Sequence, residues 1–145
     1  MTIEQIARDL VINMTNIEKM KTMVTSDAMA SGGVLPQPIP IIEALKVTAG
    51  LSTAFPDLKF DIQRVTVEGN RARVETVWSG TQTGPLSLPI PGMSAIPATG
   101  KRVSVKDNYV VTVQGDKVSH FAVESPADGG IPAAIAQLGV KVPAM

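Results

Sequence analysis

Cysteine is absent from the 145 residues, and histidine occurs once, as His120. Disulfide frameworks and thiolate zinc sites are thereby excluded, and a multi-histidine metal centre lacks its ligands. An excess of charge of one sign is missing too. Thirteen Lys and Arg balance thirteen Asp and Glu, leaving nothing with which to neutralise a row of phosphates, so nucleic acid is not an expected partner. No apolar run approaches the roughly 18 residues of a membrane span. The start, MTIEQIARDL, carries Glu4, Arg8 and Asp9 where a secretory leader would carry an apolar core. A soluble, cytoplasmic chain with no membrane partner is expected. Aromatics are limited to Phe55, Phe60, Trp78, Tyr109 and Phe121, which calls for an aliphatic core and leaves few platforms for stacking on bases. The length suits one domain, residues 1–145.

What is present divides into a helical front and a sheet-forming remainder. Ile3, Ile6, Ala7, Leu10, Met14 and Ile17 recur at spacings of three and four, and Thr2 with Gln5 reads as a capping box. Thr25, Ser26 and Asp27 read as the start of a short helix ending at Ser31-Gly32-Gly33. Pro40 suits the first turn of another helix, through Ile42, Leu45 and Ala49, which Phe55-Pro56-Asp57 ends. GGIPAAIAQLGV predicts a short apolar helix from Pro132 to Leu138, stopped by Gly139.

From Leu58 the apolar period falls to two and valine and threonine dominate, as in sheet. Gly69-Asn70 predicts a hairpin turn that places Val67 opposite Ala72 and Val65 opposite Val74. Phe60 and Ile62 are out of phase with Val65 and Val67, so a β-bulge near Gln63-Arg64 is needed to give one inner face from Phe60 to Trp78. Gly115-Asp116 predicts a second hairpin pairing Val113 with Val118, Val111 with His120, Tyr109 with Ala122 and Asp107 with Glu124, all on one face. Between the hairpins, Pro85, Pro89, Pro91 and Pro97 forbid helix or central strand, yet Leu86, Leu88, Ile90, Met93 and Ile96 call for a segment that packs down as a lid or partner-facing loop. The order of elements predicts an α+β domain, a cone-shaped curved antiparallel sheet with N-terminal helices on its concave face and a cavity at the open end.

The runs AFPDLKFDIQRV (54–65), WSGTQTGPL (78–86) and IPATGKRVSV (96–105), with the hairpin around Gly115-Asp116-Lys117-Val118, resemble the nuclear transport factor 2-like superfamily, an α+β barrel. Within it they are most similar to the SnoaL-like polyketide cyclases and related ester cyclases. The resemblance implies cofactor-free, metal-free chemistry in which a pocket acid/base removes a proton next to a carbonyl. Members commonly follow a lysine-isoleucine pair with glutamate, histidine, tryptophan and then aspartate. Here the run reads Lys117, Val118, Ser119, His120, Phe121, Ala122, Val123, Glu124, Ser125, and Gln82 stands where a histidine often does.

Catalytic candidates follow from the expected inner face. His120 is either an acid/base able to exchange protons near neutrality or a structural histidine bonded to backbone or water, and Tyr109 is placed to polarise a carbonyl. Asp107 and Glu124, directly opposed, would either raise one of the two pKa values into a general-base range or break the pairing to leave a frayed, solvated strand end. As ligand-binding candidates, Trp78 is a wall for a flat apolar molecule, with Thr76 and Gln82 beside it, and Asp27 either reaches the cone mouth or caps its helix. Arg64 and Glu75 read as an outer-face ion pair. The expected function is binding of a small apolar, carbonyl-containing molecule, with cyclase- or isomerase-type acid-base chemistry and neither cofactor nor metal. The alternative is a non-catalytic ligand-binding or assembly module. An epoxide hydrolase ranks below both, because no arginine stands between two inner-face acids. Finally, an outer face carrying Val110, Thr112, Phe121 and Val123 predicts a homodimer through that face, with the Pro-rich loop at its margin or over the pocket.

Overall fold

The computed structural model describes residues 2–33, 35, 37–87 and 94–140. Among these, α1 (Ile3–Ile12) and α2 (Ile17–Met23) lead into β1 (Val24–Gly32) and a two-residue β2 (Ile39–Pro40). Next come α3 (Ile41–Ala54), β3 (Lys59–Glu68), β4 (Arg71–Thr81), β5 (Arg102–Gln114), β6 (Lys117–Val123) and α4 (Gly130–Gln137). The sheet runs β2-β1-β6-β5-β4-β3, with every neighbouring pair antiparallel except β1 and β6. It remains an open sheet, its first and last strands unpaired with each other. No helix among the described residues is long and apolar enough to cross a membrane.

The expected helical front holds at α1. Thr2 accepts from Gln5 N–H while the Gln5 side chain accepts from Thr2 N–H, the reciprocal capping that fixes the first turn. Ile6, Ala7, Leu10 and Val11 form its buried face, lying on β3, β4 and β5, and full burial of Leu10 contributes on the order of 2 kcal/mol. Pro40 stands at the N-cap of α3, and α4 begins two residues ahead of the expected Pro132, at Gly130.

The segment expected to be a helix after Thr25-Ser26-Asp27 is instead β1. Its Val24, Ala28 and Ala30 are buried, and it runs parallel to β6 in a pairing with no local signature in the sequence. The approach is close: at Gly32, φ +84°, a β-carbon would collide with the Val123 carbonyl.

Both hairpins form. In the first, Val65 faces Val74, Val67 faces Ala72, and the register slips between Ile62 and Arg64 as the phase change requires. Of the two turn residues only Gly69 takes positive φ, at 62°. Arg64 Nε lies 4.0 Å from Glu75 Oε2 on the outer face.

The second hairpin corrects the expected register. Val113 does face Val118, but a further bulge at Ser119 moves the partners by one, so that Thr112 pairs with His120, Val111 with Phe121, Val110 with Ala122 and Tyr109 with Val123. Because side chains alternate between faces, this slip exchanges His120 and Phe121. Phe121 is buried in the core against Tyr109, with ring centroids 5.0 Å apart, while His120, Ala122 and Glu124 take the outer face. The physical reason is burial: the aromatic ring displaces the imidazole from the apolar side. Phe121 and Val123, offered above as outer-face residues, therefore do not supply an apolar dimer surface.

The Pro-rich connection packs down at both ends. Leu86 and Ile96, both buried, exchange two backbone hydrogen bonds of 2.8 Å. Leu88, Ile90 and Met93 lie outside the described residues.

Candidate functional site

A cavity of about 90 Å³ lies between the concave face of the sheet and the helices. Met14, Met20, Leu45 and Leu51 make much of its wall from the helical side. From the sheet come Phe60, Trp78, Tyr109 and Phe121, so four of the chain's five aromatic residues meet there. The fifth, Phe55, backs Trp78 edge-on at 6.3 Å.

Asp107 stands among them. The inner face of β5 reads Val103, Val105, Asp107, Tyr109, Val111, Val113, so the acid occupies one step of an otherwise apolar series. It is 4% exposed and is the only buried charged side chain among the described residues. Its Oδ1 accepts from Ser125 Oγ at 2.7 Å and from Asn108 N–H at 3.0 Å. Oδ2 is held less closely, by Trp78 Nε1 at 3.4 Å and the Tyr109 hydroxyl at 3.5 Å. Each oxygen thus faces an N–H that can only donate, which favours the ionised carboxylate.

Burial works the other way and prevails, raising Asp107 above the usual carboxylate value despite those four donors. The Tyr109 hydroxyl is pushed well above 10, first by burial, then by the charge of Asp107 and its hydrogen bond to that group. Tyr109 is therefore a neutral donor throughout the physiological range. No lysine, arginine or histidine is among the described residues lining the cavity.

Of the residues singled out in the sequence, Asp107, Tyr109 and Trp78 come together here. Thr76 is buried on the same face, but its hydroxyl donates to the Asp61 carbonyl at 2.9 Å and it does not line the cavity. Gln82 is fully buried yet committed elsewhere: its Nε2 donates to the Ile96 carbonyl, and its Oε1 accepts from Thr99 Oγ1 at 2.7 Å and from Thr99 N–H. That makes it a clamp on the Pro-rich connection. His120 on the outer face lies 3.1 Å from Ser31 Oγ through Nε2, and Glu124 there accepts from Arg73 at 2.9 Å. Asp107 and Glu124 are thus on opposite faces and form no carboxylate pair. Asp27 sits exposed on β1, accepting from Thr25 Oγ1.

Sequence reasoning passed over Ser125, Phe121 and Thr48, all of which line the cavity. Phe121 had a signal: Val118, Phe121 and Val123 repeat the phase slip that revealed the first bulge. Ser125 had none, because the turn after β6 brings it back to Asp107. Gly130, φ +70°, permits that turn, since a β-carbon there would strike Ser125 Oγ.

Comparison with solved structures returns close matches in shape. A protein from Jannaschia sp. CCS1, proposed to be a SnoaL-like polyketide cyclase, is 21% identical with a TM-score of 0.74, covering 98% of this chain and 93% of the other. IdmH from Streptomyces antibioticus, proposed to be a polyketide cyclase, is 18% identical at TM-score 0.74, covering 97% and 100%. AclR from Streptomyces galilaeus, proposed to be a hydroxylase, is 17% identical at TM-score 0.74, covering 97% and 84%. At these identities the likeness is one of fold. A comparison with curated proteins gives no match. The family model for SnoaL-like polyketide cyclase, however, matches residues 4–121, and with the open curved sheet and its helix-lined cavity this places the chain in the SnoaL-like polyketide cyclase family, of nuclear transport factor 2-like fold.

Proposed function

We propose that the cavity binds a small apolar molecule bearing a carbonyl group and that Asp107 exchanges a proton with the carbon next to that carbonyl, in chemistry of the cyclase or isomerase type that draws on no cofactor. The carrying observation is a buried carboxylate in an apolar chamber, which burial raises above the ordinary carboxylate value and so makes a stronger base. Its loosely held Oδ2 is the oxygen with a lone pair to offer.

The proton moves from the α-carbon to Asp107, which becomes neutral, while the electron pair passes to the carbonyl oxygen as an enolate. Trp78 Nε1–H and the Tyr109 hydroxyl then lose their anionic acceptor and are free to donate to the new oxyanion. The enolate carbon attacks a second carbonyl, Asp107 returning its proton to the alkoxide; where a β,γ double bond is present, the dienolate instead takes the proton from Asp107 at its γ-carbon and the double bond moves into conjugation. His120, on the outer face, has no part in this.

The test is α-proton exchange. Small cyclic ketones and β-keto esters are incubated with the protein in deuterated buffer and followed by NMR. Exchange above background that is lost in Asp107→Asn and retained in His120→Ala is expected; exchange indifferent to Asp107→Asn refutes the assignment. The non-catalytic reading keeps one observation in its favour, four donors already engaging Asp107, and binding without exchange would select it.

A further inference from the structure

The cavity has an unbalanced charge. Asp107 brings a buried negative charge, and no cation stands among the described lining residues to offset it. Structural acids buried this deeply are ordinarily paired, because removing a lone charge from water is strongly unfavourable. Neutral donors soften the imbalance here without cancelling it.

The chamber that holds the carboxylate is walled by aromatic side chains. Trp78 and Tyr109 both donate to Oδ2, the Phe121 ring stands 5.0 Å from that of Tyr109, and Phe60 completes the set. Aromatic faces carry partial negative charge and attract cations, most strongly where water is excluded, while their bulk suits an apolar body. One anion in a chamber walled by four of the chain's five aromatic residues, with no cation beside it among the described lining residues, is a constellation that neither packing nor proton abstraction needs in full.

We infer that this cavity selects small apolar ammonium ions over neutral molecules of the same shape, the charged nitrogen lying at Asp107 within reach of the Phe121 ring and the apolar body against the remaining walls. This preference shares the cavity of the proposed reaction but not its proton transfer, so either can fail alone. Where both hold, an ammonium ion competes with a ketone for Asp107.

The probes are cyclohexylmethylamine, protonated at neutral pH, and cyclohexylmethanol, its neutral near-isostere, each titrated into the full chain and followed by Trp78 fluorescence and calorimetry. The amine is expected to bind roughly tenfold or more tightly than the alcohol. Asp107→Asn, confirmed folded by its thermal transition, is expected to bring the two affinities within about threefold of each other. Should Asp107→Asn fail to fold, Phe121→Leu serves, with the preference expected to shrink severalfold while alcohol binding changes less. Equal binding of the two probes by the wild type overturns the inference. So does a preference that persists in the variant, and so does failure of the folded wild type to bind either.

Discussion

Exchanging the two neighbours on β6 tests the site at its foundation, because the slip at Ser119 decides which of them lines the cavity. Phe121 is 7% exposed and packs on Tyr109; His120 is half-buried and holds one hydrogen bond to Ser31. Phe→Ala in a core typically removes about 3–5 kcal/mol, and since one side of this ring already meets a cavity, the low end, about 3 kcal/mol, applies to Phe121→Ala. His120→Ala loses a single partly exposed hydrogen bond, about 0.5–1 kcal/mol. At roughly 3 °C per kcal/mol for a chain of this size, the melting temperature should fall by about 10 °C in the first variant and by no more than about 3 °C in the second. Urea unfolding monitored by far-ultraviolet circular dichroism gives both values independently of any activity. Equal losses, or a larger loss for His120→Ala, would put the imidazole inside and undo the candidate site with it. A charged residue at 121 is likewise expected to unfold the chain rather than to dissociate it.

Tyr109 is the only tyrosine, so absorbance near 295 nm reports it alone. Its neutral form is favoured by the fold, and stability is lost as pH rises past about 10, where the unfolded chain ionises first; tyrosinate should therefore appear only as the protein unfolds, and gradual ionisation with secondary structure intact would contradict the burial. Asp107 has the opposite sense to a salt-bridged acid. With its folded value raised, the folded chain holds the proton more tightly than the unfolded one, so the wild type should lose stability relative to Asp107→Asn as pH climbs from about 3 toward 7, measured by urea unfolding at each pH; a gain would refute the raised value. Glu124→Gln removes an exposed pair with Arg73 and should change stability by less than about 1 kcal/mol and leave α-proton exchange intact, whereas loss of exchange would restore Glu124 to the site. Gly130→Ala, at φ +70° and against Ser125, should destabilise by about 1 kcal/mol or more in the same unfolding assay, and a neutral result would show that the turn does not hold Ser125 on Asp107.

Local rules carried the sequence a long way. α1 was legible because its cap and its stripe agree, and the first hairpin because a glycine turn fixed a register that the apolar phase then had to satisfy with a bulge. Where the rules failed, two local patterns competed. Val118, His120 and Ala122 alternate as cleanly as Val118, Phe121 and Val123 slip, and only the volume of phenylalanine against the core decides between them. Thr25-Ser26-Asp27 has the residues of a helix cap, but a cap states only what a helix would need; β1 forms because β6 offers it a parallel edge from the far end of the chain. Asp107 and Tyr109 were reached because β5 alternates regularly, and Ser125 was not, because its position depends on the path of a loop.

That parallel edge has a consequence for the order in which the molecule can be made. Ser31 and His120, neighbours across β1 and β6, are 89 positions apart in the chain. During synthesis from the amino terminus, β1 has no ladder partner on this side until β6 has left the ribosome, so that edge must wait while the β3–β4 hairpin closes locally. Fragments ending before Lys117 keep β2 on one side of β1 but leave its β6 edge open as a template, and are expected to aggregate where the full chain folds.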